Sequence, residues 1–470
     1  MRGKFSLLRR FDELRTSYWF VPAVMVVGAI LLAIVIQLID ARVAYGVVPG
    51  LRWLSATGPD GARSILATIA GSTITVTSVI FSITIVAISM ASNQFGPRLI
   101  RNFMRSGGAQ FALGLFLACF VYCLLILSRI PAHGDGQAMP YLSVGVGIVF
   151  GIASFLGLIY YIHHIATFIQ APQIIHNVTE ELLSTIARIY PEREDGKKAA
   201  AAEKKPVEWS GASVDTVVSE DSGYVLTIDL DLLFDIAVQN DAAIDVQVRA
   251  GQFCVFGEPL ITTFSRGGLS SDCRTRCRQA VELGTQRSPT QDAEFTLNQL
   301  VEIGIRALSP GINDPFTAIN CIDRIGAALT FLASRKSPKP TRCDGEGVLR
   351  LRFIVDAHET LARSAFDQLR QHARGNPAVL IRMLEVIEQI ARVQPDNEFT
   401  DSLRLEADLI HAAAGSISAE FDRQCLGRTL CCGDRRSRRG RTCLRRIARN
   451  AAAVLVNPCS SGWDATNTEK

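Results

Sequence analysis

SILATIAGSTITVTSVIFSITIVAISMA, residues Ser64 to Ala91, is a run of twenty-eight residues without a charged side chain. As an α-helix it would be about 42 Å long, which exceeds the roughly 30 Å thickness of the hydrocarbon core of a bilayer. Such a helix has to tilt or extend past one interface. This stretch therefore predicts a transmembrane helix and places the chain among membrane proteins.

The same stretch contains an unusual number of hydroxyl side chains. Thr68, Thr75, Ser82 and Ser89 recur every seven residues, and Ser72 lies on the same helical face. Small polar residues allow two helix backbones to approach closely and to hydrogen-bond, and they also line water-filled paths through membranes. The sequence favours a helix-packing face, with a pore lining as the alternative.

Three further apolar runs predict transmembrane helices, so we expect four spans at about residues 18–39, 64–91, 111–130 and 141–162. The first run is too long for the apolar core of a signal peptide, and no small-residue cleavage site follows it. In the fourth run, Gly147 and Gly151 form a GxxxG pair, which is a weak indication of a close contact between helices.

The distribution of basic residues predicts the orientation of the spans. Five Lys or Arg residues precede the first span, three lie in the first connection, three in the second and none in the third. Because cytoplasmic segments carry an excess of Lys and Arg, both termini are expected in the cytoplasm. Arg42, Arg52 and Arg63 in the first connection make this bias less clear.

The remainder of the chain reads as a cytoplasmic α+β region. After the N-terminal segment 1–17 and the membrane domain 18–165, residues 166–206 predict a stalk helix and a charged linker. Alternating strands predict a small β domain over 207–265, and helical periodicity predicts a bundle over 266–421. Residues 422–470 are rich in arginine and cysteine without an amphipathic period. They suggest a disordered basic tail or a reading-frame change in the gene.

Two short motifs interrupt the helices. The first, at the end of the hydroxyl-rich helix, predicts a cytoplasmic elbow formed by Asn93, Gln94, Phe95, Gly96, Pro97 and Arg98. In the second, Pro310 and Gly311 form a turn, Asn313 or Asp314 caps the next helix, and Pro315 occupies its first position. From Ser309 to Pro315 this turn is explained fully as a corner between two helices. A capped helix N-terminus could also bind a small anion, with help from Arg306 or Arg324.

Composition excludes several classes of protein. The net charge of +4 over 470 residues gives no reason to expect a nucleic-acid partner. The twelve cysteines form no zinc-like CxxC pairs, and no metal site or cofactor is expected. The chain contains no P-loop, GxGxxG motif or Ser–His–Asp arrangement, so we do not expect an enzyme.

The stretches ITVTSVIFSITIVAISMASNQFGPRLIRNFM, GGAQFALGLFLACFVYCLL and RALSPGINDPFTAINCIDRI together resemble a bacterial family of predicted integral membrane proteins, catalogued as domain of unknown function 2254. The resemblance extends from near residue 5 to about residue 420 and does not include the tail. It implies an inner-membrane protein with four spans and a cytoplasmic C-terminal region. It implies no particular activity.

Two functions remain open at this stage. The first is a homo-oligomeric channel or transporter in the bacterial inner membrane, with the hydroxyl face toward a shared axis and the cytoplasmic region as its regulator. The second is a membrane-anchored sensing or scaffold protein whose cytoplasmic region binds a ligand or partner at the Ser309 turn. The absence of Asp, Glu, Lys and Arg from the hydroxyl-rich stretch argues against proton coupling or voltage sensing through it.

Overall fold

The computed structural model describes residues 19–42, 58–96, 107–130, 140–192, 213–393 and 397–413. The chain divides into two compact units, Met1–Ile174 and Ile175–Lys470. The N-terminal segment (1–17), the tail (422–470) and all but the first two residues of the predicted linker (191–206) lie outside the described residues.

The first unit contains four long apolar helices: α1 (Phe20–Arg42), α2 (Gly58–Phe95), α3 (Gly107–Leu127) and α4 (Tyr141–Phe168). Helix α3 packs against the other three, and it is the most buried of them. The remaining helices expose many large apolar side chains, including Leu31 on α1 and Phe155 on α4. Exposed apolar residues that surround a buried helix are typical of a bundle whose outer surface faces lipid.

Glycines bring α4 close to α2. A Cβ atom at Gly147 would lie 2.6 Å from the end of the Leu66 side chain, and one at Gly151 would lie 3.2 Å from Ile69. The close helix contact that the GxxxG pair indicated is therefore confirmed, and its partner is the hydroxyl-rich helix.

The division between the units falls inside α5 (Ala171–Ile189), the predicted stalk helix. The second unit continues with α/β structure. Its first elements are β1 (Ser213–Val218), β2 (Gly223–Ile228), α6 (Leu230–Gln239), β3 (Ala242–Val246), β4 (Phe253–Cys254), β5 (Pro259–Ser265), α7 (Ser271–Gln279) and β6 (Val281–Gly284).

Five helices and two strands follow. They are α8 (Ala293–Ala307), α9 (Pro315–Ala333), β7 (Thr341–Cys343), β8 (Leu349–Arg352), α10 (His358–His372), α11 (Pro377–Val393) and α12 (Asn397–Ala413). Helix α9 packs against α8 and α11, and α10 packs against α8 and α12, so these helices form the predicted bundle.

The strands form two sheets, with the orders β1-β5-β3-β8-β7 and β4-β2-β6. All pairings are antiparallel except that of β3 with β8, in which Ile244 lies opposite Leu351. The predicted boundary at residue 265 does not hold, because β6, β7 and β8 come from later in the chain and complete the sheets. A short strand gives little sign in the sequence of which distant strand it will pair with.

Two short elements have little sign in the sequence. The first is α7, whose first turn is capped by the Ser270 hydroxyl. Cys273 and Cys277 are both free and lie one turn apart in the buried core. The second is the edge strand β1, at residues 213–218.

Within the described residues, five helices are long and apolar enough to cross a membrane: α1, α2, α3, α4 and α9. Length and composition thus confirm a protein with several apolar helices but do not by themselves select four spans. Helix α2 is longer than predicted, with 38 residues and a length of about 57 Å.

Candidate functional site

The predicted hydroxyl face of α2 points away from the other described helices of the first unit. Thr68, Ser72, Thr75, Ser82 and Ser89 are all exposed. The buried positions of α2 lie on the opposite side of the helix: Ala62, Leu66, Ala70, Thr73, Thr77, Ile80, Thr84 and Ala87. Packing among the described helices of this unit therefore does not explain the exposed hydroxyl face.

The threonines that do pack inside the unit are a separate set. Thr77 donates to the carbonyl oxygen of Thr73 at 2.7 Å, and Thr84 forms a short hydrogen bond with the buried hydroxyl of Tyr161 on α4. Helix α2 thus has hydroxyl groups on two sides. One side serves contacts within the unit, and the other is presented outward.

Three of these exposed hydroxyls donate to the backbone of their own helix. Thr68 donates to the Ser64 carbonyl at 2.7 Å, Ser72 to Ile69 at 3.0 Å and Thr75 to Gly71 at 2.8 Å. A hydroxyl that uses its proton in this way still has acceptor lone pairs. The outward face of α2 is therefore uncharged and rich in acceptors, which suits water or a partly hydrated cation.

The predicted elbow is only partly within the described residues. Asn93 and Gln94 are exposed in the last turn of α2, whereas Phe95 and Gly96 are buried. Gly96 ends the helix with a φ of 107°, a conformation that favours glycine. Pro97 and Arg98 lie outside the described residues.

The predicted turn before α9 is closed by its own hydrogen bonds. The Ser309 carbonyl accepts from the N–H groups of Ile312 at 3.0 Å and Asn313 at 2.9 Å, and Asp314 N–H donates to the Ala307 carbonyl at 2.7 Å. Asn313 has a φ of 47°, a left-handed conformation that asparagine tolerates better than most residues. A Cβ atom placed at Gly311 would have no other atom within 4 Å.

The N-terminus of α9 already holds a carboxylate. Asp314 accepts from the backbone N–H of Thr317 at 3.1 Å and from its hydroxyl at 2.6 Å, and Pro315 occupies the first turn as predicted. The hydrogen bond from the Thr317 hydroxyl, together with backbone N–H groups of Thr317 and Phe316, lowers the pKa of Asp314. A small anion would have to compete with this carboxylate. Arg306 pairs with Glu302 at 3.2 Å, and Arg324 is exposed.

Sequence reasoning missed a group of charged side chains inside the second unit, which we call the charge cluster: Arg249, Arg287, Asp292, Glu294 and Asp356. The Asp292 carboxylate is 1% exposed and accepts from Arg287 at 2.7 and 2.9 Å. It also accepts from the N–H of Phe295 at 2.9 Å and so caps α8. Asp292 is therefore both a helix cap and a buried ion-pair partner.

Glu294 and Asp356 extend the cluster. Glu294 lies 3.2 Å from Arg287 and 3.5 Å from Arg249, and it accepts from the Ser364 hydroxyl at 2.9 Å. Arg249 also pairs closely with Asp356. Three carboxylates thus face two guanidinium groups, which leaves one excess negative charge in the cluster.

The pKa values of Asp356 and Glu294 are shifted in opposite directions. Burial raises the pKa of Asp356, the charges of Glu294 and Asp292 raise it further, and Arg249 only partly opposes them. Burial also acts to raise the pKa of Glu294, but Ser364, Arg249 and Arg287 outweigh burial and hold that pKa below its usual value.

One local sign of this cluster was present in the sequence, because an Asp directly before a helical pattern is a cap signal. The pairing of Glu294 with Arg249, and of Arg249 with Asp356, could not be read in the same way, because these residues lie on distant segments. No group of His, Cys, Asp and Glu side chains suited to a metal ion occurs among the described residues.

Comparison with known proteins identifies the family. A family model described as a predicted membrane protein (DUF2254) matches residues 15–389. The chain belongs to this family. Among its relatives are the uncharacterized protein Mb1321c of Mycobacterium bovis and the uncharacterized protein Rv1290c of Mycobacterium tuberculosis. Each is 29% identical over 437 residues, which cover 89% of this chain and 81% of the relative. No solved structure gives a significant match.

Proposed function

We propose that this DUF2254 protein is a homo-oligomeric, channel-like or transport protein of the bacterial inner (cytoplasmic) membrane. The observation that carries this proposal is the outward hydroxyl face of α2. It is exposed on the protomer, lies opposite the packed face and carries no charge. An apolar surface would satisfy a helix that only contacts lipid. Five exposed hydroxyl residues, placed among exposed apolar side chains such as Val79 and Val86, are better explained by a second copy of the chain or by water.

Four spans and two cytoplasmic termini fit this proposal. In this proposal helices α1 to α4 are the spans and α9 is part of the cytoplasmic region. The packing of α9 between α8 and α11 supports this assignment. The outward side of α9 carries Asp323 and Arg324, and Asp323 pairs with Arg382 at 2.5 Å. Charged residues on a lipid-facing side are expensive in a membrane. The excess of basic residues before α1 supports cytoplasmic termini.

The expected pore is passive and weakly selective. Hydroxyl oxygens such as those of Thr75 and Ser82 offer acceptors without a fixed charge, so they lower the barrier for cations and water only modestly. The second unit would regulate the pore. No enzymatic activity is proposed.

A sensing or scaffold protein is the second candidate. Its supporting observation is the turn before α9, where Phe316 is 82% exposed and Ile312 is 38% exposed. An apolar pair at a turn stiffened by its own hydrogen bonds suits recognition of a partner. A small anion at this turn remains the ligand that the sequence suggested, although Asp314 competes with it.

Ionic current across planar bilayers that contain the purified full-length protein tests the first candidate. The variant Thr75→Leu/Ser82→Leu removes two hydroxyls from the outward face. The control Ile74→Leu/Phe81→Leu changes the preceding residues, which are exposed at nearly the same depth on another side of α2. If the face lines a pore, current is lost only in the first variant.

A monodisperse oligomer without current in the wild-type protein would contradict the channel proposal and favour the sensing or scaffold function. Ser82→Asp separates a pore from a packing face. A carboxylate in a water-filled pore changes conductance and cation selectivity, whereas the same group buried between helices breaks the oligomer.

A further inference from the structure

The C-terminal end of α5 is held by a residue from a distant part of the chain. The last carbonyl groups of a helix have no partner within the helix. Arg335, two residues after α9, donates to the Tyr190 carbonyl at 2.8 Å and to the Ala187 carbonyl at 3.3 Å. A cation at this position also interacts favourably with the helix dipole. The Arg335 side chain therefore caps the C-terminal end of α5.

This contact is reinforced along the backbone. Lys336 N–H donates to the Pro191 carbonyl at 3.0 Å, and Glu192 forms an antiparallel bridge with Arg335. The Arg335 guanidinium also lies 4.5 Å from the centre of the Phe331 ring. These contacts fix the guanidinium between α5 and the last turn of α9.

A second contact holds α5 near the start of α8. The Thr185 hydroxyl donates to the Pro289 carbonyl at 3.2 Å, and Pro289 is three residues before Asp292, which caps α8. Tyr190 is 1% exposed, and its hydroxyl donates to the Asp356 carbonyl at 3.0 Å. The end of α5 is thus attached beside the start of α8 and beside the end of α9.

Helices α8 and α9 pack against each other and are joined by the Ser309–Pro315 turn. They form a helical hairpin whose closed end is this turn. Its open end, formed by Pro289 and Arg335, holds α5. Buried side chains such as Leu300 and Ile325 leave little room for the two helices to move independently, because protein interiors are close-packed.

We propose that the α8–α9 hairpin is a conformational coupling element, in which Arg335 links the position of the turn to the position of the end of α5. Contact at the turn, where Ile312 and Phe316 are exposed, then shifts the end of the stalk helix. This coupling is a property of the second unit and does not depend on whether the first unit conducts ions.

Hydrogen–deuterium exchange of the full-length protein in lipid nanodiscs tests this proposal. Arg335→Ala is expected to accelerate exchange at residues 186–192 about tenfold, the factor typical of a lost charge-assisted hydrogen bond. It is also expected to accelerate exchange at residues 309–317. Because coupling is reciprocal, Asp314→Ala at the turn should accelerate exchange at residues 186–192.

Arg382→Ala is the control, since it breaks an ion pair to Asp323 in the middle of α9 without touching either end. It should leave both segments unchanged. Acceleration confined to residues 186–192 in Arg335→Ala, or an equal response in the control, overturns the proposal. If Arg335→Ala does not fold, Arg335→Lys keeps the charge but not the guanidinium donors, and it must accelerate exchange at both segments relative to the wild-type protein.

Discussion

The carboxylate of Asp40, near the end of α1, accepts a hydrogen bond from the backbone N–H of Ser143 at 2.9 Å. The same carboxylate accepts from Leu142 N–H at 3.2 Å and from the Ser143 hydroxyl at 2.5 Å. Pro140, which precedes α4, provides no side-chain cap. One apolar helix thus caps another, and Tyr122 of α3 joins them by donating to the Ser143 carbonyl at 3.0 Å.

Asp40→Ala should therefore loosen the packing of α1 against α4. Loss of a helix cap costs about 1 to 2 kcal/mol, and Asp40→Asn should cost less because its amide oxygen still accepts. Thermal unfolding in detergent of Asp40→Ala, Ser143→Ala and the double variant measures the coupling between the two residues. Additive losses in this cycle would show that the bond between the Ser143 hydroxyl and Asp40 contributes little.

A second prediction concerns the outward face of α2. Gly71 is exposed on this face with no atom within 4 Å of its Cβ position, and Gly28 on α1 is equally open. If the outward face of α2 contacts a second copy of the chain, Gly71→Leu should dissociate the oligomer, whereas Gly28→Leu should not. Size-exclusion chromatography with light scattering gives the oligomeric state. Intact oligomers in both variants would remove the helix-packing explanation of the hydroxyl face.

The local features of the sequence predicted much of this architecture. Apolar runs located the helices of the first unit, and the Gly147 and Gly151 pair identified a close contact. The cap at Asp314 followed by Pro315 was readable because both signals act on neighbouring backbone groups. The hydroxyl residues of α2 were also visible, although their exposure on the protomer was not.

Features that depend on distant residues could not be predicted in this way. Strand β8 pairs in parallel with β3, and nothing in either short stretch specifies the other. The Asp40 contact to Ser143 and the Arg335 contact to Tyr190 each join segments more than a hundred residues apart. The sequence around a single charged residue does not indicate which distant residue it will contact. Such contacts can therefore be identified only from the folded structure.

The charge cluster leads to a third prediction, about pH. The pKa of Asp356 is raised in the folded protein, so its contribution to stability is complete below the unfolded value of about 3.9 and is lost as the pH rises through the folded value. Asp356→Asn removes the excess negative charge and leaves the carbonyl that accepts from Tyr190. Relative to wild type, this variant should become more stable as the pH rises from about 4 to about 7.5.

Glu294→Gln is the matched variant with the opposite sign. The pKa of Glu294 is lowered, so its contribution is present above the unfolded value of about 4.3 and is lost as the pH falls through the folded value. Its destabilisation should therefore be largest near neutral pH and shrink in acid. Melting temperatures of both variants across this range test the assignment, and parallel pH profiles would contradict it.

The fourth prediction concerns Gly251, whose backbone passes directly beside the charge cluster. Its φ is 83°, and a Cβ atom there would lie 2.0 Å from Oδ2 of Asp292 and 2.8 Å from Nη2 of Arg287. Gly251→Ala therefore adds backbone strain and also pushes apart a buried ion pair. Separating such a pair costs about 3 to 5 kcal/mol, so this single methyl group should lower the melting temperature strongly.

Gly257→Ala is the control, because Gly257 has a similar φ of 82° but a Cβ atom there would have no other atom within 4 Å. The difference between the two variants isolates the contact with Asp292 from the backbone strain. Equal losses in circular-dichroism melts would show that strain alone explains the glycine.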